Sequence, residues 1–369
     1  MLVRRITGKQ FKTTFPTRTI FTELEQKELN QPRIKCRNRP YLAGAKSDKF
    51  PEYISMSVNK YFSGIKLKDP KNTPHMKDIA LEFRKHIDEN LKTHSAFLLK
   101  GLPTNGVDEI QDFISGMEYK SFYYDAGNAA RSSVGEYLYT ASDEPKDVSI
   151  EPHNEMAYLE TFPSKIMFYC ASAADYGGDS PVVFNRDIKK SLDTSDVYEK
   201  MNKKKIRYIR NLSHEKNSPY LTWQETFKTK SEEKAEKVMQ RENMDWEWQH
   251  NGDLSLWNTV SATTQHPVTK EEIWFNQVTA AHSSYYKDMS INVNNQHLPA
   301  NQFPLHTCYG DGEEITDEEV DEIRSATWSN AMSLKLQPGD VLLLDNLLAL
   351  HSRMSYEGGE RKILVNLSY

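Results

Sequence analysis

The stretch Ile150-Glu151-Pro152-His153-Asn154-Glu155-Met156, taken with Asn346-Leu347-Leu348-Ala349-Leu350-His351, decides how this chain is read. His153 and Glu155 stand at i and i+2. On an extended strand that spacing points both side chains to one face. His351 lies far downstream, so only a fold brings it to the other two. Two imidazoles and one carboxylate hold a divalent transition metal from one side and leave its other positions open, the ligand pattern of mononuclear non-haem Fe(II) oxygenases. An isolated His-x-Glu is a weak signal. Its weight comes from the rest of the chain.

The sequence has 369 residues, of which 38% are hydrophobic and 27% charged, with a net charge of −5. This is the balance of an ordinary globular enzyme with a substantial core. No basic excess or motif points to nucleic acid, and no run of about eighteen apolar residues points to a membrane span. Oligomeric state is not legible. Cys36, Cys170 and Cys308 are scattered and form no CxxC pair, which fits a reducing compartment and small buried side chains. Residues 1–22 carry Arg4, Arg5, Lys9, Lys12 and Arg18 and no acid. That is the composition of an organellar (mitochondrial or plastid) transit segment, or else of a basic N-terminal arm on a cytoplasmic protein.

Residues 1–70 are Pro-punctuated and aperiodic, and are expected to form an N-terminal arm and extension. Ile79, Phe83, Ile87 and Leu91 recur at spacing four and predict a helix over 75–92. Ser95–Gly101 reads as a buried strand, and 106–118 as a second helix carrying Ile110, Phe113 and Ile114. From about 134 strands dominate: Tyr137–Thr140, Lys165–Cys170, Ser180–Phe184, Ile273–Gln277, Val341–Leu344 and Lys362–Leu367. Pro338-Gly339-Asp340 supplies a turn. Residues 187–270 are expected to be a helical insertion or lid, because 187–247 are Lys/Glu-rich, as in Ser231–Arg241. The domain organisation expected is thus an extension over 1–70 and a mainly β domain with flanking helices over 71–369.

Arg361 opens the last strand. It shares parity with Ile363, Val365 and Leu367, so it belongs to an apolar, inward face. A charge at the mouth of such a face calls for an anionic partner, and a carboxylate matches the guanidinium fork. Gly177-Gly178-Asp179-Ser180-Pro181 adds a tight turn followed by a hydroxyl at the start of a strand. Ser180 can donate to the same carboxylate as Arg361.

With these motifs in order, the chain resembles the taurine dioxygenase/clavaminate synthase-like family of Fe(II)- and 2-oxoglutarate-dependent oxygenases. The family pattern is His-x-Asp/Glu, Gly-Gly-x-Thr-Pro, a distal His and an Arg soon after it. Here it reads His153-Asn154-Glu155, Gly177-Gly178-Asp179-Ser180-Pro181, His351 and Arg361. The likeness runs over roughly 95–369 and takes in Ala129-Ala130-Arg131, Phe162-Pro163-Ser164-Lys165, Trp274-Phe275-Asn276 and Gly339–Asn346. Two departures are conservative: Glu155 for the commoner Asp, and Ser180 for Thr.

The resemblance implies a double-stranded β-helix (jelly-roll) core with Fe(II), 2-oxoglutarate and O2 as cofactor and co-substrates. His153, Glu155 and His351 would be the catalytic metal ligands, and Arg361 and Ser180 would pair with the distal carboxylate of 2-oxoglutarate. Asn276 would orient a co-substrate oxygen or merely cap the backbone. Arg131 and Arg353 would hold a substrate carboxylate or pair with nearby acids. The implied reaction is oxidation of an unactivated C–H of a small amino-acid-like or carboxylate-bearing metabolite, with release of succinate and CO2. Two other readings use the same residues: a metal-dependent hydrolase, which leaves Arg361 and Ser180 without a task, and a non-catalytic jelly-roll binding protein.

Overall fold

The computed structural model describes residues 19–104, 106–124, 126–127, 132–136, 138–141, 144–218, 222–287, 289 and 297–369. Its framework is an eight-stranded sheet in the order Phe21–Glu23, Phe62–Leu67, Ala96–Lys100, Val341–Asp345, Lys165–Ser172, Lys362–Ser368, Leu138–Thr140, Ser133–Gly135. Neighbours are antiparallel except Phe62–Leu67 and Ala96–Lys100, which run parallel. Those two are joined through the helix Met76–Asn90, because parallel neighbours need a crossover.

A smaller sheet, Ala331–Met332, Val182–Phe184, Ala349–Arg353, Ile150–His153, covers one face of the large one. Leu342, Leu344, Phe168, Ile363 and Val365 of the large sheet share a core with Val182, Phe184, Ala349 and Leu350 of the small one. Val341, Leu343, Met167, Tyr169 and Leu364 point the other way, into a second core with Ile79, Phe83, Ile87, Ile110 and Phe113 of the helices Met76–Asn90 and Val107–Gly116. Both faces of the central strands are covered, so their sequences run apolar without alternation. This layered pair of sheets is the jelly-roll core, with helices flanking it. Arg361 lies just before Lys362–Ser368, and the Ile363 and Val365 parity faces the space between the sheets as expected. The opposite parity is buried as well.

Several segments differ from the pattern in the sequence. Residues 187–270 are not simply helical. The helix Glu232–Arg241 is present, capped by Ser231, whose side chain accepts from the Lys234 N–H. The same segment also holds Ile206–Leu212, Asp245–Trp248 and Leu254–Val260, which form a four-stranded antiparallel sheet with Leu305–Tyr309, the last paired with Ile206–Leu212. In Ile206–Leu212 every second residue is buried. Tyr208 and Arg210 fall on that buried parity, and the intervening Arg207 and Asn211 gave the stretch its polar look. Within the expected N-terminal extension, Phe21–Glu23 and Phe62–Leu67 supply two strands to the large sheet, with the Phe21 ring against Phe83. Of the basic segment 1–22, residues 1–18 lie outside the described residues, as do Tyr137 and Ala129-Ala130-Arg131. No helix among the described residues is long and apolar enough to cross a membrane.

Candidate metal centre and its cavity

His153 ends the strand Ile150–His153, and its backbone partner across the small sheet is His351. Cross-strand partners have close Cβ atoms, and the two imidazole centroids lie 4.2 Å apart. Glu155 reaches the same point in a different way from the one expected. The strand stops at His153, and Glu155 sits in the turn that follows, ahead of Met156 at φ +57°. One ligand atom from each of His153, Glu155 and His351 lies within 4.8 Å of the others, and they form the one such His/Cys/Asp/Glu group among the described residues.

The donor chemistry fits a divalent metal. His153 Nδ1–H donates to the Glu151 carbonyl over 2.8 Å, which fixes the tautomer and leaves Nε2 as the ligand atom. His351 Nε2 is 3.8 Å from Glu155 Oε2, and the Phe168 ring packs 4.8 Å from the His351 ring.

The group opens into a cavity of about 110 Å3. Its lining includes Arg361, Ser180, Leu342 and Ile363 together with Tyr124, Tyr158, Tyr285, Tyr286, Gln277 and Glu144. Arg361 donates from Nη2 to Ser180 Oγ (3.2 Å) and from Nε to the Gly178 carbonyl (3.0 Å). Burial, and then repulsion from Arg353, hold its guanidinium down at about 10, so the site favours an added anion. The two glycines of the turn are both required. Gly177 and Gly178 take φ of +69° and +68°, and a Cβ would lie 2.3 Å from Ser355 O at the first and 2.9 Å from Arg361 Cδ at the second.

The other residues singled out in the sequence have varied fates. Arg353 lines the cavity, but its Nη atoms are engaged by the carbonyls of Glu144, Pro145 and Val148 at 2.9, 2.6 and 2.7 Å. It therefore pins the 144–148 segment beside the cavity. Asn276 does not line the cavity. It donates to Ala262 O and accepts from the Val278 N–H, the backbone-capping alternative. The next residue, Gln277, lines the cavity instead. Arg131 lies outside the described residues.

Arg210 escaped the sequence reading. Its guanidinium is buried, donates to Ala126 O and Gly127 O, and lies 5.6 Å from the centroid of Tyr158, a cavity residue. The buried Glu151–Arg324 ion pair (2.5 Å) under the His153 strand was missed as well. Only the period-2 pattern of 206–212 could have flagged Arg210, and nothing local flags Arg324.

Residues 68–367 match the family model described as taurine catabolism dioxygenase TauD, TfdA family. The dapdiamide synthesis protein DdaC of Enterobacter agglomerans is 33% identical over 298 residues, which cover 78% of this chain and 86% of DdaC. A clavaminate synthase-like protein of Arabidopsis thaliana is 27% identical over 294 residues, with the same shares of 78% and 86%. The crystal structure of PvcB from Pseudomonas aeruginosa aligns with 84% of this chain and 86% of its own, at 11% identity and a TM-score of 0.47. The family match sets aside the hydrolase and binding-protein readings. On that match and the identity to DdaC, the chain belongs to the TauD/TfdA family and is a dioxygenase dependent on Fe(II), 2-oxoglutarate and O2.

Proposed function

We propose that this enzyme oxidises a C–H bond of a small, carboxylate-bearing, amino-acid-like metabolite, by hydroxylation, desaturation or oxidative cyclisation. The observation that carries the reading is that the His153–Glu155–His351 group and the Arg361–Ser180 pair open into one cavity. In this reading His153, Glu155 and His351 hold Fe(II), and Arg361 and Ser180 hold the distal carboxylate of 2-oxoglutarate. Bound iron with 2-oxoglutarate and O2 supplies an oxidant strong enough for an unactivated C–H, with succinate and CO2 as co-products.

The protein orients the reactants and excludes water. Leu342, Ile363 and Phe168 make an apolar wall around the co-substrate. The tyrosines lining the cavity receive the metabolite, and Gln277 offers it an amide. Two observations support a carboxylate on that metabolite. Arg353 lines the cavity, and among the described residues its Nε has no hydrogen-bond partner. Arg210 stands buried behind Tyr158 without a bonded carboxylate among the described residues. Buried guanidinium groups in such positions draw a negative charge. The printed name of DdaC ties that relative to dapdiamide synthesis, and we place this enzyme likewise in specialised metabolism.

The test is Fe(II) binding and metabolite-dependent succinate formation in His153→Ala and His351→Ala. Both activities should disappear in each variant. Wild-type turnover in either one refutes the ligand assignment, and turnover without O2 refutes the reaction.

A further inference from the structure

We propose that Asn346 is a positioning residue for the metal-binding carboxylate, so that iron affinity depends on its amide. This rests on the metal-centre reading above. Glu155 lies past the end of its strand, where no ladder hydrogen bond holds it. Asn346 supplies the missing constraint. Its Oδ1 accepts from the Glu155 N–H at 2.7 Å, and its Nδ2 donates to the Glu155 carbonyl at 2.9 Å and to the Pro163 carbonyl at 2.8 Å. Both polar groups of one main-chain residue are thus gripped by one fully buried side chain.

Asn346 is itself fixed. Its N–H donates to Ser164 O at 2.9 Å, and its carbonyl accepts from Asn154 Nδ2 at 2.5 Å. Asn154 stands between His153 and Glu155, so the residue separating two ligands is tied to the chain leading into the third, His351. Gln277, from the cavity wall, donates to the Asn154 carbonyl.

The reach of a carboxylate to a metal is set by where its main chain stands and which way its Cα–Cβ bond points, and outer partners of metal ligands act by fixing that orientation. The amide's two ends have separate tasks. An aspartate at 346 could still accept from the Glu155 N–H, but it could not donate to either carbonyl, and it would add a buried negative charge.

The control lies in the same network. Asn185 is also fully buried, and its amide donates to Leu347 O at 2.6 Å and to Asn154 Oδ1 at 3.3 Å rather than to the Glu155 main chain. Metal-free wild type, Asn346→Ala, Asn346→Asp and Asn185→Ala are titrated anaerobically with Fe(II), and with Co(II) to read the d–d spectrum. Melting of each metal-free protein is followed in parallel.

Asn346→Ala and Asn346→Asp should weaken metal binding about 10- to 100-fold and alter the Co(II) spectrum. Asn185→Ala should lose melting temperature but keep affinity within about threefold, well inside the tenfold that marks 1.4 kcal/mol. Wild-type affinity and spectrum in a folded Asn346 variant overturn the proposal, and so does an equal loss in Asn185→Ala. If Asn346→Ala does not fold, Asn346→Asp alone decides on the same criteria. A wild-type protein that binds neither metal refutes the metal centre itself, which is a separate outcome.

Discussion

Replacing Arg361 with leucine tests the co-substrate site where its energetics are most exposed. The guanidinium is buried, its hydrogen bonds go to a carbonyl and a hydroxyl, and no ion pair joins it to a carboxylate among the described residues. A dicarboxylate bound there would form a buried, hydrogen-bonded charge pair. Removing one partner of such a pair costs about 3–5 kcal/mol. At about 1.4 kcal/mol per factor of ten, the dissociation constant for 2-oxoglutarate should rise about 100- to 4,000-fold. Ser180→Ala removes one hydrogen bond to a charged group, worth about 1.5–3 kcal/mol, and should cost about 10- to 150-fold.

Stability should move the other way. Burial already depresses the Arg361 guanidinium to about 10. Leucine removes a buried charge that lacks a counter-ion, so the cofactor-free protein should melt no lower than wild type. The assay is an anaerobic titration of Fe(II)-loaded protein with 2-oxoglutarate, following the visible charge-transfer band of the chelate. A dissociation constant within about threefold of wild type refutes the reasoning and moves the role to Arg353.

Gly178→Ala places a Cβ 2.9 Å from Arg361 Cδ at φ +68°; a left-handed strain of about 1–2 kcal/mol should displace Arg361 and weaken 2-oxoglutarate about tenfold, and unchanged affinity in the same titration counts against the contact. Arg324→Leu removes the ion-pair partner of the fully buried Glu151 carboxylate, and denaturant unfolding should show a loss of about 3–5 kcal/mol; a loss under about 1 kcal/mol means the pair is not a structural anchor. The protein should also be acid-sensitive. Burial lowers His86 to about 4, His306 below its usual value and His282 well below it. The unfolded chain takes up these protons near pH 6.5 and the folded one only at lower pH. The stability they allow is therefore complete above pH 6.5 and drains as pH falls from there toward 4, by at most about 1.4 kcal/mol per pH unit for each residue. A melting temperature that stays flat from pH 7.5 to 5 contradicts this.

Local pattern carried far into this protein. The spacing-four apolar residues of 75–92 marked the helix that covers one face of the large sheet. The apolar runs at Lys165, Val341 and Lys362 marked its central strands, and Gly177-Gly178 marked a turn whose positive φ angles demand glycine. These features are set by neighbours a few residues away, so the sequence displays them directly. His153, Glu155, His351, Arg361 and Ser180 were named for their chemistry, and all five line one cavity.

Tertiary structure decided the rest. The His153–His351 pairing is a register between strands far apart in sequence, and register is set by which apolar faces meet. Glu155 is aimed by the Asn346 amide across the core and not by strand parity. The sheet built on Ile206–Leu212 was hidden because its outward parity includes Arg207 and Asn211 and its inward parity includes Arg210. Asn276 and Gln277 are adjacent amides, and packing alone sends the first to cap a backbone and the second to the cavity. Composition and periodicity record what each residue can do. Which partner a buried polar side chain meets depends on the whole fold, because a burial site must supply hydrogen bonds from whatever segment lies opposite.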